Sequence, residues 1–120
     1  MVLLDNSRFL FLWAKGRAIV SGVKDAILQL RQDFDPSQSN VIFNSFLNRA
    51  DQLESELNFI QRNHRYMTYD YKRSASLAVL TQVRKLFDET REIKFYENGR
   101  LVEVSLHTEF TIIHVNPERL

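Results

Sequence analysis

The chain has 120 residues, 44% hydrophobic and 26% charged, with a formal net charge of +1, which suits one soluble core and argues against nonspecific coating of nucleic acid or acidic membrane. It has no cysteine, so disulfides, thiol catalysis and cysteine-ligated metal are excluded. The longest early apolar run, Phe9 to Ala14, is far shorter than the roughly 18 residues a membrane span needs. Asp5 and Asn6 precede that run and no small-residue cleavage pattern follows, so a secretory signal is not expected. Arg8, Lys15, Arg17 and Lys24 on an amphipathic segment also fit an organelle presequence, but a plain first helix in a cytoplasmic protein is the simpler expectation.

From Phe9 the apolar or small positions fall at Phe9, Trp13, Gly16, Val20, Val23, Ile27, Leu30 and Phe34, alternating fours and threes along one helical stripe. The spacing predicts a first helix from about Ser7, a fair N-cap, to Phe34, stopped by Asp35-Pro36. Gly16 and Gly22 weaken its interior, so a kink, or a short hairpin across Lys15-Gly16, is the rival. A second helix, with Ser37 and Ser39 as candidate caps, carries Phe43, Phe46, Ala50, Leu53, Leu57 and Ile60 on one side and polar residues on the other. The short link from Asp35 to Asn40 pairs the two as an antiparallel hairpin.

The stretch from Arg62 to Arg73 has no apolar period and reads as a helix end, a turn and a new start capped by Thr68 or Asp70. A third helix follows with Leu77, Leu80, Val83, Leu86 and Phe87 on one side and Val79 beside them, fading at Asp88 to Arg91. Between Pro36 and Gly99 there is neither glycine nor proline, and the break comes at Asn98-Gly99, the pair favoured in a two-residue hairpin turn. That turn sets Phe95 opposite Val102, Ile93 opposite Val104 and Lys94 opposite Glu103, giving an apolar face and a cross-strand ion pair. A third strand, Phe110 to Val115, is expected to turn back through His107-Thr108-Glu109, with Asn116-Pro117 ending the sheet.

Chemistry-bearing motifs are sparse. His107 and His114 fall on opposite faces of a continuous strand, and no third ligand converges on them, so no metal is expected. No glycine-flanked serine, phosphate-cradling loop or framed pair of carboxylates occurs, so no catalytic residue and no cofactor are expected. The segment that stands out is Arg62, Arg65, Lys72 and Arg73 interleaved with Tyr66, Tyr69 and Tyr71, a pattern that can grip phosphates and stack on bases. With the third helix and the hairpin it forms an alternative nucleic-acid surface. The plainer expectation packs the tyrosines under the helix junction and sends the arginines to solvent.

These readings predict a single α+β domain over residues 1–120: two long helices, a third helix, and a three-stranded antiparallel meander packed on them. A first helix of about 27 residues extends roughly 40 Å, longer than a compact domain of this size, so part of its stripe is expected to need a second copy. The expected function is that of a non-enzymatic adaptor or regulator acting as a homodimer on a protein partner. Phe9, Phe11, Trp13, Arg65, Tyr66, Tyr69 and Arg73 are the candidate contact residues.

Overall fold

The computed structural model describes residues 6–34, 36–97, 99–104 and 106. Three long helices follow one another: α1 (Ser7–Arg31), α2 (Pro36–Asn63) and α3 (Tyr69–Thr90), with a single 3-10 turn, His64–Tyr66, between the second and third. Two strands, β1 (Ile93–Glu97) and β2 (Arg100–Val104), close the described part of the chain as an antiparallel hairpin.

The expected stripe of α1 is the stripe that is buried: Phe9, Trp13, Gly16, Val20, Val23 and Ile27 all face inward, and the helix runs unbroken through both glycines. Gly16 lies where a side chain would be crowded. A methyl group built on it would stand 2.9 Å from Leu80 Cδ2 and 3.3 Å from Leu57 Cδ1, so α1 approaches α2 and α3 closely at this point. The N-terminus differs from expectation: Asn6, not Ser7, holds the cap position, and its side-chain oxygen accepts from Lys72 Nζ instead of capping the helix. At the other end α1 stops at Arg31, and the amides of Gln32, Asp33 and Phe34 continue as a turn on the carbonyls of Gln29, Leu30 and Arg31. That turn swings Phe34 onto Phe43 and Phe95, with ring centroids 6.0 and 5.3 Å away.

Helix α2 begins at Pro36 itself, earlier than either serine, because proline lacks only an amide hydrogen that the first turn cannot use. Phe43, Ala50, Leu53, Leu57 and Ile60 are buried as expected, and Phe46 is partly so. Contacts run oppositely along α1 and α2, from Arg31 on Asn44 through Lys24 on Asp51 to Gly16 on Leu57, so the two form an antiparallel hairpin. Asn6 on Lys72, Trp13 on Ser76 and Gly16 on Leu80 advance together, so α1 and α3 run parallel. Helices of 25, 28 and 22 residues are matched in length, and each covers the others' apolar stripes. The stripe of α1 therefore needs no second copy to bury it, which removes the reason given for expecting one there.

Thr68 supplies the cap of α3, its hydroxyl oxygen accepting from the amide of Tyr71 at 3.2 Å. Asp70 sits in the first turn, where a negative charge suits the helix dipole. Val79, Leu80, Val83 and Leu86 are buried, and Leu77 and Phe87 only partly.

The hairpin has the expected register: Ile93 faces Val104, Lys94 faces Glu103 and Phe95 faces Val102. Gly99 has φ +77°, the left-handed region that a two-residue turn demands. Ile93 and Phe95 turn inward, and Phe95 meets Phe34 and Phe43 edge to face. Lys94 lies between Glu103 at 3.8 Å and Glu92 at 3.2 Å on the outer face. The sheet has two strands among the described residues, and the third strand expected at 110–115 lies outside them. No described helix is long and apolar enough to cross a membrane.

Candidate functional site

The end of the bundle where α1 begins, α2 ends and α3 starts holds nearly every residue singled out in the sequence, but it sorts them into an interior set and a surface set. Trp13 and Ser76 are both 0% exposed, and the indole Nε1–H donates to Ser76 Oγ at 2.8 Å. Phe9 stacks on Trp13 at 5.6 Å and meets Tyr69 edge to face at 5.8 Å. Lys72, 5% exposed, donates to Asn6 Oδ1 at 2.6 Å with its ammonium 5.6 Å from the centroid of the Phe9 ring. His64 lies 5.5 Å from Trp13, and its buried Nδ1 has no hydrogen-bond partner. Desolvation, then the charges of Lys72 and Arg65, hold the His64 pKa below the usual imidazole value.

Phe9 and Trp13 are therefore core residues and not contact residues, since each lies on the buried stripe of α1. Lys72 is likewise an interior cation, held by an amide oxygen and an aromatic face, and is withdrawn from any phosphate surface. The space under the helix junction is filled by Phe9, Trp13, Lys72 and His64, and of the three tyrosines Tyr69 alone reaches it, through its edge-to-face contact with Phe9. Tyr66 is 87% exposed, and Tyr69 and Tyr71 also open to solvent. Arg62, Arg65 and Phe11 are exposed, while Arg73 is half-buried and engaged.

Beside this surface, a groove of about 550 Å³ runs between the C-terminal half of α2 and the N-terminal half of α3. Ala75 and Ala78, one turn apart on α3, leave room that larger side chains would fill, and Phe59, Met67 and Tyr71 border it. Phe59 is 58% exposed. Further along, an Arg49–Glu89 ion pair ties α2 to α3. Sequence reasoning passed over this groove. Its signal is a large aromatic at position 59, off the buried stripe of α2, across from two alanines three apart.

A second hollow, of about 710 Å³, lies where α3 meets β2 and is bordered by Asp88, Arg91, Glu92 and Glu103, all exposed. Among the described residues no group of three or more histidine, aspartate or glutamate side chains is placed to hold a metal ion. No protein-family model matches the chain, and no curated protein and no solved structure matches it significantly.

Proposed function

We propose that this chain is a non-enzymatic interaction module that acts in the cytoplasm and docks an acidic segment of a protein partner on the surface around its 3-10 turn. The observation that carries the reading is the concentration of positive charge and exposed rings there. Residues 6–17 and 58–76 hold seven basic and one acidic side chain, a balance of +6 in a chain whose total is +1, and of the seven Arg8, Arg62 and Arg65 are exposed while Lys72 is interior. Into this basic field project Tyr66, Tyr69 and Phe11, rigid side chains of the kind that anchor interfaces. Arg65 supplies the planar donor that matches a carboxylate.

Nucleic acid is the second reading, favoured by the same exposed tyrosines. It is weaker because Lys72 is interior and Arg73 engaged, leaving Arg8, Arg62 and Arg65 as the exposed cations of this end. Few phosphate contacts give a shallow salt dependence and weak affinity. Fluorescence anisotropy separates the two, with a labelled peptide of alternating glutamate and leucine and a labelled oligothymidylate as probes. The peptide is expected to bind, and to be weakened by R65Q and by Y66A. Binding of the oligothymidylate alone, or of neither probe, overturns the proposal.

A further inference from the structure

Phe59 stands on the outer face of α2 with Glu56 one turn before it and Arg62 one turn after it. All three are exposed, and among the described residues neither Glu56 nor Arg62 takes part in an ion pair. An acid, an aromatic and a base at equal spacing form a pattern that is complementary to its own reverse. When a second α2 is laid antiparallel with the two Phe59 rings at the same level, Glu56 comes level with the partner's Arg62, and Arg62 with the partner's Glu56. The offset along the axis is about 4.5 Å on each side of Phe59, at 1.5 Å per residue. Both charged side chains are long enough to bridge an interhelical separation of about 8–10 Å.

We infer that the groove between α2 and α3 is the seat of a second copy of this chain, each copy inserting its Phe59 into the groove of the other across a twofold axis. Such an interface is isologous, so one set of contacts is made twice. The groove offers Phe59 of the second copy apolar walls in Met67 and Tyr71 and a floor of small side chains in Ala75 and Ala78. Methionine at the rim adapts to an incoming ring. The outer face of α1 does not suit self-pairing in this way. It exposes Phe11 and Leu28, but α1 carries Arg8, Lys15, Arg17, Lys24 and Arg31 against Asp25 alone, and two such helices repel. This inference does not depend on the docking role proposed for the 3-10 turn.

Light scattering of the full chain at up to about 100 µM, where a micromolar complex is fully formed, tests it. The expected mass is about twice the 14.2 kDa of one chain. Phe59→Asp, at an exposed position that leaves the helix intact by circular dichroism, is expected to give the single-chain mass. Glu56→Arg or Arg62→Glu alone turns two attractions into two repulsions and is expected to raise the dimer Kd roughly tenfold or more. The double exchange E56R/R62E restores both pairs in reverse and is expected to recover the dimer. A wild-type chain of single mass, a dimer unmoved by Phe59→Asp, or a double exchange no better than either single variant would each overturn the inference.

Discussion

Replacing Ser76 by alanine removes the oxygen to which the buried indole of Trp13 donates. Trp13 and Ser76 are both fully buried and their bond is 2.8 Å long, so the indole N–H is left without an acceptor inside the core. Stranding a buried donor costs about 1–3 kcal/mol. Alanine recovers roughly 0.5 kcal/mol through its better helix propensity at an interior position of α3. The net loss is then about 1–2 kcal/mol, a fall in Tm of roughly 4–8 °C for a chain of this size. Trp13→Phe strands less, because the freed Ser76 hydroxyl can turn to the carbonyl one turn back. The double variant W13F/S76A is therefore expected to lose less than the two singles together, with a coupling of about 1 kcal/mol. Thermal unfolding followed by circular dichroism measures all four species. A Ser76→Ala chain as stable as wild type, or a coupling near zero, refutes the claim that this bond holds the core.

Gly16→Ala sets a helix-propensity gain of about 1 kcal/mol against overpacking of about 1–3 kcal/mol beside Leu80 and Leu57, so a net loss of about 1 kcal/mol is expected in urea unfolding. A gain in stability would show that the close approach of the helices there is not a constraint. Gly99→Ala forces a side chain into the left-handed region at φ +77° and should cost about 1 kcal/mol by the same assay, whereas an unchanged midpoint would rule out the constrained turn. His64 has its folded pKa below the ordinary 6.5, so its neutral form contributes stability that is present above that value and lost as pH falls through the folded pKa. The urea midpoint should drop between pH 7.5 and 5 more steeply in wild type than in His64→Phe, and equal slopes would dismiss the effect.

The parts of the fold that were legible in the sequence are those that a period determines. The buried face of α1 follows from threes and fours alone, and the hairpin register follows from a two-residue turn plus alternation, since a slip of one would turn Phe95 outward. What was not legible depends on which helix meets which. Lys72 reads as a surface cation until α1 places Asn6 and Phe9 against it. Tyr66 of the 3-10 turn reads as packing material because nothing local says that Trp13 and His64 already fill that space. The groove was hidden for the same reason: Ala75 and Ala78 are merely good helix formers until Phe59 stands across from them.

The polar contacts in the core answer a problem that the apolar stripes leave open. Stripes spaced by threes and fours pack nearly as well after one helix slips a full turn past another, so hydrophobic burial by itself specifies the register of α3 on α1 weakly. Lys72 and Ser76 are one turn apart on α3, and each has a single matching acceptor or donor on α1, in Asn6 and Trp13. A slip of one turn breaks both bonds and strands a buried N–H and a buried ammonium, which costs several times what a methyl mismatch costs. Gly16 adds a steric feature, because the missing Cβ leaves room for the side-chain ends of Leu80 and Leu57 to approach α1 closely. The same register decides where Ala75 and Ala78 stand relative to Phe59 on α2, so the groove on the outside is positioned by the tryptophan, serine and lysine on the inside. Loosening that lock by pairing Ser76→Ala with Asn6→Ala should thus weaken whatever the groove holds even though neither residue borders it, and a groove that keeps its occupant in that variant would show that apolar packing alone sets the register.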